Sequence, residues 1–165
     1  MLEFKIAEIP EGSSFRTCEL TPNDLDLGNE QFKGGSVNFE FSRNDHFIKA
    51  NFSTDVVVEL VCDRSLESFD YAVRKDYEVL FKAEPTEEHA DEHGAVRNYD
   101  YVTNSIDLEE DVRDTILLSL PIKKLHPRFL DEHGEPKELV KEQFGISEDE
   151  DFIDPRWEAL KKLKK

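Results

Sequence analysis

The sequence predicts an α+β fold, with an antiparallel β-sheet that is barrel-like if it closes, one main α-helix and a C-terminal helix. Three observations predict it. Several segments alternate apolar and polar residues with a period of two, as strands do. Two later segments repeat apolar residues at helical spacing. The 165 residues are enough to bury one core, to which 12 Phe residues contribute much apolar surface.

The N-terminal part of the chain predicts short strands that end in a hairpin. Leu2 to Ile6 alternates before a Pro and a Gly interrupt it, and Phe15 to Leu20 is a candidate second strand. Val37 to Phe41 and Phe47 to Ser53 flank the turn residues 43–45. Both segments are apolar at alternate positions, which predicts a hairpin with one solvent-facing side.

The middle of the chain predicts the centre of the sheet. Val56 to Cys62 is almost continuously apolar, as a central strand would be, and Tyr71 to Phe81 alternates. We therefore expect five or six strands in all. Glu84 to Asn98 is acidic and contains Pro, Gly and two His, which predicts a mobile loop. Tyr99 to Val102 is a candidate strand that re-enters the sheet.

The best helix prediction is Asp107 to Leu120. Asp107 suits the N-cap, with Glu110 three residues later as in a capping box. Leu108, Val112 and Ile116 recur at intervals of four and define an apolar face. A Pro then ends the helix at residue 121.

The C-terminal region changes from acidic to basic. Residues 131–154 predict an acidic surface loop with a short helix near residues 138–144. Asp154 and Pro155 predict the start of a final helix, as N-cap and first turn. We expect one α+β domain over residues 1–153, with the basic helix 154–165 packed on it through Trp157, Leu160 and Leu163.

The formal net charge of −17 restricts the possible partners. Residues 154–165 have five basic and two acidic side chains and thus a charge of +3, which leaves −20 for residues 1–153. A surface of that sign repels phosphates, so binding of DNA or of RNA by the whole surface is disfavoured. It favours a basic partner. A structural alternative is that the acidity only maintains solubility.

The composition also indicates a cytoplasmic protein. The sequence has no apolar run long enough to span a membrane, and its N-terminus lacks the basic and apolar regions of a secretory signal. Two cysteines, Cys18 and Cys62, do not make a disulfide framework. We expect two reduced thiols.

Three segments resemble the large ribosomal RNA subunit accumulation family, also called YceD. Residues 62–67, read C-D-R-S-L-E, are similar to the family's C-x-R-C-L-E signature. Residues 106–108, followed by residues 117–121, are similar to its I-D-L and L-L-x-L-P. Residues 154–163 resemble its D-P-R-W-x-x-L-x-x-L ending. The resemblance covers roughly residues 50–165. It implies a role in accumulation or processing of the large-subunit rRNA and association with a basic protein of the large ribosomal subunit.

The chain departs from the family at its cysteines. Many members carry a second Cys where Ser65 stands, and a Cys-rich stretch where this chain reads residues 126–134. Those cysteines would suit a tetrahedral metal site. A zinc site from Cys62, His126 and His133 is an alternative that this sequence leaves open, but we expect no cofactor and no bound metal.

The sequence lacks the motifs of common enzymes. It has no phosphate-binding glycine loop and no nucleophile elbow, and Cys62 has no C-x-x-C partner. His89 and His93 are four apart but stand in the predicted acidic loop. We therefore expect a non-enzymatic ribosome-biogenesis factor that binds a basic ribosomal protein or a large-subunit precursor. The alternatives are direct rRNA binding through the basic tail and a metal-dependent rRNA-processing nuclease.

Two groups of residues are the predicted binding site. Asp63, Arg64 and Glu67 stand in the turn after the central strand, where Arg64 can form two hydrogen bonds to a carboxylate or phosphate. A structural alternative is that Arg64 pairs with Asp63 or Glu67 and holds the turn. The second group is basic and could contact rRNA: Arg156, Lys161, Lys162, Lys164 and Lys165.

Overall fold

The computed structural model describes residues 2–84, 87–99, 102 and 104–137. These residues form an α+β structure dominated by sheet, as predicted. The strands are β1 (Glu3–Lys5), β2 (Gly12–Leu20), β3 (Gln31–Arg43), β4 (Phe47–Val61), β5 (Ser68–Lys82), β6 (His89–Ala90), β7 (Gly94–Asn98) and β8 (Ser105–Asp107). One helix, α1, spans Glu109–Leu118, and 3₁₀ turns cover Ile6–Glu8 and Pro127–Phe129.

Three long strands form the centre of a six-stranded sheet with the order β2-β3-β4-β5-β7-β6. The predicted hairpin is confirmed, because Phe39 lies opposite Phe52 across β3 and β4. Asn44 closes its turn by accepting hydrogen bonds from the N–H groups of His46 and Phe47. The two strands predicted at residues 47–53 and 56–62 are one continuous strand of 15 residues, β4. Its even-numbered residues are buried from end to end, so the alternation is unbroken.

A bulge in β3 lets both an even-numbered and an odd-numbered residue of this strand face the core. The pairing of β3 with β4 shifts between Phe32 and Gly34. Phe32 and Val37 are both buried although they are five residues apart, which a regular strand does not allow. The Gly pair at residues 34 and 35 therefore marks a bulge.

The core lies between the inner face of the sheet and a layer formed by β1, β8 and α1. β1 and β8 pair antiparallel and place the start of the chain beside the helix. Phe4 of β1 packs edge-on against Phe39 and Phe41, with ring centroids 5.1 and 5.0 Å apart. Val112 and Ile116 of α1 are fully buried. The buried apolar residues form a single cluster, so this layer and the sheet share one core.

The sheet does not take the barrel form that the prediction left open, and the structure corrects the prediction of a loop at residues 84–98. The described sheet is open, with β2 and β6 at its two edges. Residues 89–98 contain a short hairpin of β6 and β7, and β7 pairs parallel to β5. Asp91 accepts hydrogen bonds from the N–H groups of His93 and Gly94, which makes the turn tight. Of the strand expected at residues 99–102, the structure describes only residues 99 and 102, neither of which is in a strand, and β7 ends at Asn98.

The helix is confirmed, with small differences at its ends. Leu108 occupies the N-cap position, and Asp107 accepts a hydrogen bond from the N–H of Glu109 at 2.9 Å. The helix ends at Leu118, two residues before the predicted end. None of the helical segments among the described residues is long and apolar enough to span a membrane. The predicted helices at residues 138–144 and 154–165 lie outside the described residues. The proposed domain boundary therefore stays a prediction.

Candidate functional site

The predicted site residues Asp63, Arg64 and Glu67 stand in the turn that joins β4 to β5. Backbone hydrogen bonds close this turn: Cys62 N–H donates to Glu67 C=O at 2.9 Å, and Leu66 N–H to Cys62 C=O at 2.8 Å. Leu66 has a φ of +58°, so the chain reverses through a left-handed residue. The backbone of the turn is therefore held without any contribution from the Arg64 side chain.

A segment that follows the helix packs against this turn. The N–H of Asp63 donates to Lys124 C=O at 2.7 Å, and the N–H of Lys124 donates to Asp63 Oδ2 at 2.7 Å. These two bonds join residues that are 61 positions apart in the sequence. We call residues 62–67 together with residues 124–129 the hairpin clamp. The carboxylate of Asp63 is a structural part of it.

Charged and aromatic side chains complete the hairpin clamp. Glu67 forms an ion pair with Arg128. The guanidinium groups of Arg64 and Arg128 both lie on the ring of Phe129, at 4.9 and 4.7 Å from its centroid. The expectation that Arg64 pairs with Asp63 or Glu67 is therefore wrong, because Lys124 and Arg128 supply those contacts. No local pattern in the sequence indicated these two partners.

The buried sulfur of Cys62 lies at the centre of the hairpin clamp. Desolvation raises the pKa of this thiol, but hydrogen bonds outweigh it and lower the pKa to about 7. The backbone N–H of His126 donates to the sulfur at 3.3 Å. The Ser65 side chain and the backbone N–H groups of Ser65 and Arg64 also act to lower the pKa of Cys62. The Ser65 hydroxyl is buried and makes no hydrogen bond of ordinary geometry among the described residues.

The hairpin clamp does not fit the tetrahedral metal site implied by the family's cysteines. Ser65 stands at the second Cys position, and Nδ1 of His126 accepts a hydrogen bond from the N–H of Arg128 at 3.2 Å. The backbone of His133 belongs to a separate turn around Asp131. Within residues 2–84, 87–99, 102 and 104–137, no group of three metal-ligating side chains is suitably arranged. Hydrogen bonds and the arginine–aromatic contacts hold together the two segments that a metal would otherwise join.

Charged side chains, most of them acidic, lie on the outer face of the sheet, which points away from the core. Three ion pairs neutralise part of it: Lys33 with Glu59 at 2.7 Å, Lys49 with Glu78 at 2.6 Å, and Arg74 with Asp55 at 3.2 Å. Four further acids on this face are exposed and form no ion pair with a cation of the described chain: Glu19, Glu40, Asp70 and Asp76. This face therefore keeps a net negative charge.

Sequence reasoning did not single out this face as a site. The alternating pattern that predicts the strands also assigns these residues to one side of them, so a signal was present. The neighbours across the strands depend on register, which the pattern does not reveal. The second predicted group, Arg156 and the four lysines from Lys161 to Lys165, lies outside the described residues.

Comparison with known proteins agrees with the signature residues. The family model described as "Large ribosomal RNA subunit accumulation protein YceD" matches residues 50–164. No curated protein and no solved structure matches the chain. The match covers β4, β5, the helix and the hairpin clamp, and it leaves β1 to β3 outside. The chain therefore belongs to the YceD family, whose name connects it with accumulation of the large-subunit ribosomal RNA.

Proposed function

We propose that this protein is a non-enzymatic, cytoplasmic ribosome-biogenesis factor that binds a basic ribosomal protein or an assembly intermediate of the large subunit. The observation that carries the proposal is the negative outer face of the sheet, with four exposed acids that form no ion pair within the described chain. Family membership supplies the connection with the large subunit.

The mechanism is electrostatic. Ribosomal proteins that bind rRNA are basic, and a negative protein surface both attracts them and competes with RNA for their cations. Occupying those cations would prevent wrong RNA contacts until assembly. The uneven charge along the chain supports this, because the +3 of residues 154–165 is small beside the −20 that precedes it.

The non-enzymatic part of the proposal is supported by how the hairpin clamp uses its reactive groups. Cys62 is buried and accepts hydrogen bonds, Asp63 holds Lys124, and Glu67 pairs with Arg128. These groups make contacts that stabilise the chain itself.

Asp63, Arg64 and Glu67 remain our proposal for a binding contact at the edge of the acidic surface.

The experiment is a set of binding measurements between the purified protein and individually purified basic proteins of the large subunit. We expect at least one of them to bind, with a Kd that rises about tenfold or more between low and moderate salt, because salt screens exposed charges. A neutral protein of similar size is the control. A Kd that stays constant across this range would contradict the electrostatic mechanism.

A second candidate function is direct binding of rRNA through the basic tail. Five cations, Arg156, Lys161, Lys162, Lys164 and Lys165, are concentrated within ten residues of sequence. Deleting residues 161–165 separates the two functions. RNA association should disappear in the deletion variant if the tail is the RNA contact, whereas binding of a basic protein should stay or become stronger. Capture from cells with and without nuclease identifies which partner is direct.

A further inference from the structure

An open trough crosses the outer face of the sheet at right angles to the strands. Its volume is about 520 Å³. One side is a row of residues that pair directly across neighbouring strands: Phe15 with Glu40, Glu40 with Asn51, and Asn51 with Glu78. The residues along the trough thus come from four different strands, which only the sheet register brings together.

The opposite side is a second row, two residues further along each strand. Asn38 pairs with Ser53, and Ser53 pairs with Asp76. Thr17 donates a hydrogen bond to the amide oxygen of Asn38 at 2.7 Å, which leaves the amide nitrogen of Asn38 as the donor facing outward. The residues between the acids are therefore short polar side chains that can bond to a peptide backbone.

Carboxylates and amides alternate along the trough. Two carboxylates directly opposite each other on neighbouring strands would destabilise the sheet. Asn51 separates Glu40 from Glu78, so no two carboxylates of this row are direct cross-strand neighbours. Lys49 neutralises Glu78. Glu40 and Asp76 are exposed and form no ion pair within the described part of the chain. The sheet can thus carry two uncompensated charges in the trough at small cost to its own stability.

The dimensions suit an extended peptide. Neighbouring strands are about 4.8 Å apart, so the distance from β2 to β5 is about 15 Å. At about 3.3 Å per residue, this corresponds to about five residues of extended chain. Phe15 stands at one end of the trough with 74% of its surface exposed, and His93 lines the other end. Phe15 offers an apolar contact, which nothing in the described fold covers.

We propose that this trough binds an extended, lysine- or arginine-rich segment of a basic partner, with an apolar residue of that segment against Phe15. The inference rests on the proposed function, and it identifies the trough as the part of the outer face that contacts the basic partner. Charge complementarity selects the occupant. A phosphate backbone would be repelled by Glu40 and Asp76, and a second copy of this chain would present the same sign of charge.

The test compares two charge-matched double variants. Glu40→Gln with Asp76→Asn removes two charges from the trough, and Glu132→Gln with Asp45→Asn removes two exposed charges that lie outside it and are not among the four unpaired acids of the outer face. The probe is a fluorescein-labelled ten-residue peptide of alternating Lys or Arg and small polar residues with one central Leu. We expect the trough pair to raise the Kd at least tenfold at low salt and the control pair at most twofold.

An aromatic variant tests the apolar end separately. Phe15→Ser should raise the Kd of the peptide about fivefold or more, and should have a smaller effect on a peptide in which Ser replaces the Leu. Leu118→Ser changes a residue of α1 that is 87% exposed and lies outside both the trough and the hairpin clamp, so it should leave both affinities unchanged. All these positions are exposed, so circular dichroism and thermal unfolding should confirm that the variants are folded.

The outcomes separate this inference from the proposed function. Equal weakening by the trough pair and the control pair would overturn the trough as the site, while binding to a diffuse acidic surface would remain. A wild-type protein that binds neither the peptide nor any basic large-subunit protein would overturn both. Tighter binding of an RNA oligonucleotide by the trough pair, without weaker peptide binding, would also overturn the trough.

Discussion

Arg97 of β7 reaches across to helix α1 and forms an ion pair with Asp111, at 2.9 Å between Nη2 and Oδ1. The Asp111 side chain is only 5% exposed, whereas that of Arg97 is 27% exposed. Burial raises the pKa of Asp111, and the Arg97 guanidinium opposes that rise only in part. The pair connects the parallel strand β7 to the helix and thereby secures one edge of the sheet.

Arg97→Met should destabilise the protein by about 2–3 kcal/mol at neutral pH, because the buried carboxylate loses its cation. The pKa of Asp111 should then rise further. A carboxyl whose folded-state pKa is raised favours folding below its unfolded pKa and loses that contribution as pH rises through the folded value. The loss of stability caused by Arg97→Met should therefore be smaller at about pH 4 than at pH 7. Urea unfolding at both pH values would measure it.

Arg74→Met is the matched control for this pair. Arg74 lies 3.2 Å from Asp55, with side chains that are 76% and 52% exposed. A pair this exposed contributes little, so the change should cost less than about 0.5 kcal/mol. Equal effects of the two variants would contradict the assignment of a structural role to Arg97.

Phe129→Ala should open the hairpin clamp, because Arg64 and Arg128 lose the ring on which both lie. We expect a loss of about 1–2 kcal/mol from the aromatic burial and the two cation–π contacts. Trypsin should cut faster after Lys124 and Arg128, which the clamp holds against the turn. Mass spectrometry of the fragments is the measurement. Phe15→Ala, at an exposed position outside the clamp, should leave these cleavage rates unchanged.

The free energy of unfolding should rise with pH through the titration of Cys62. Its pKa falls from an ordinary 9.0 to about 7 in the folded protein, so the unfolded state binds more protons between these values. The contribution of the Cys62 thiolate to the free energy of unfolding is thus fully present above about pH 9, and it is lost as the pH falls through about 7. Urea unfolding between pH 6.5 and 9 should show this slope, and Cys62→Ser should remove it.

Two further variants test the cause of the lowered pKa of Cys62. Ser65→Ala removes a side-chain hydroxyl that lowers the pKa of Cys62, so it should move the thiolate absorbance transition to higher pH. Cys18→Ser should leave the slope between pH 7 and 9 intact, because burial raises the pKa of Cys18. A Cys62 thiolate transition at or above pH 9, measured in the Cys18→Ser variant, would contradict the lowered pKa of Cys62.

Gly35→Ala should destabilise the protein by about 3 kcal/mol or more. Gly35 has a φ of +148°, and an added Cβ would lie 2.5 Å from the Cα of Val56 in the neighbouring strand. Gly12→Ala is the control, since its φ is +85° but nothing lies within 4 Å of an added Cβ. The control should cost only the backbone strain, about 1 kcal/mol. Thermal and urea unfolding would measure both.

Local patterns predict those elements whose contacts are local. The alternation in β3, β4 and β5 could be read directly, because a half-buried strand needs an apolar residue at every second position. Asn44 and its neighbours predict the hairpin turn, because the hydrogen bonds that close it join residues 44, 46 and 47. The apolar spacing of Val112 and Ile116 predicts the helix in the same way.

Contacts between distant residues could not be predicted in this way. The parallel pairing of β7 with β5 depends on the turn at Asp91, and the acidic composition around that turn indicated a loop. The hydrogen bond from Ser105 to Glu3, 2.6 Å long, joins residues 102 positions apart. The sequence predicted that Asp63, Arg64 and Glu67 share a turn, but not that Lys124 and Arg128 complete it.

The sequence by itself determined the secondary structure of the central sheet, the helix, the sign of the surface charge and the family. Each of these depends on neighbouring residues or on composition. Only the tertiary structure decided the open sheet, the bulge that turns both Phe32 and Val37 inward, and the two rows of side chains that form the trough. The reason is that a shift of one residue in strand register moves every side chain to the other face, and register depends on the packing of the whole domain.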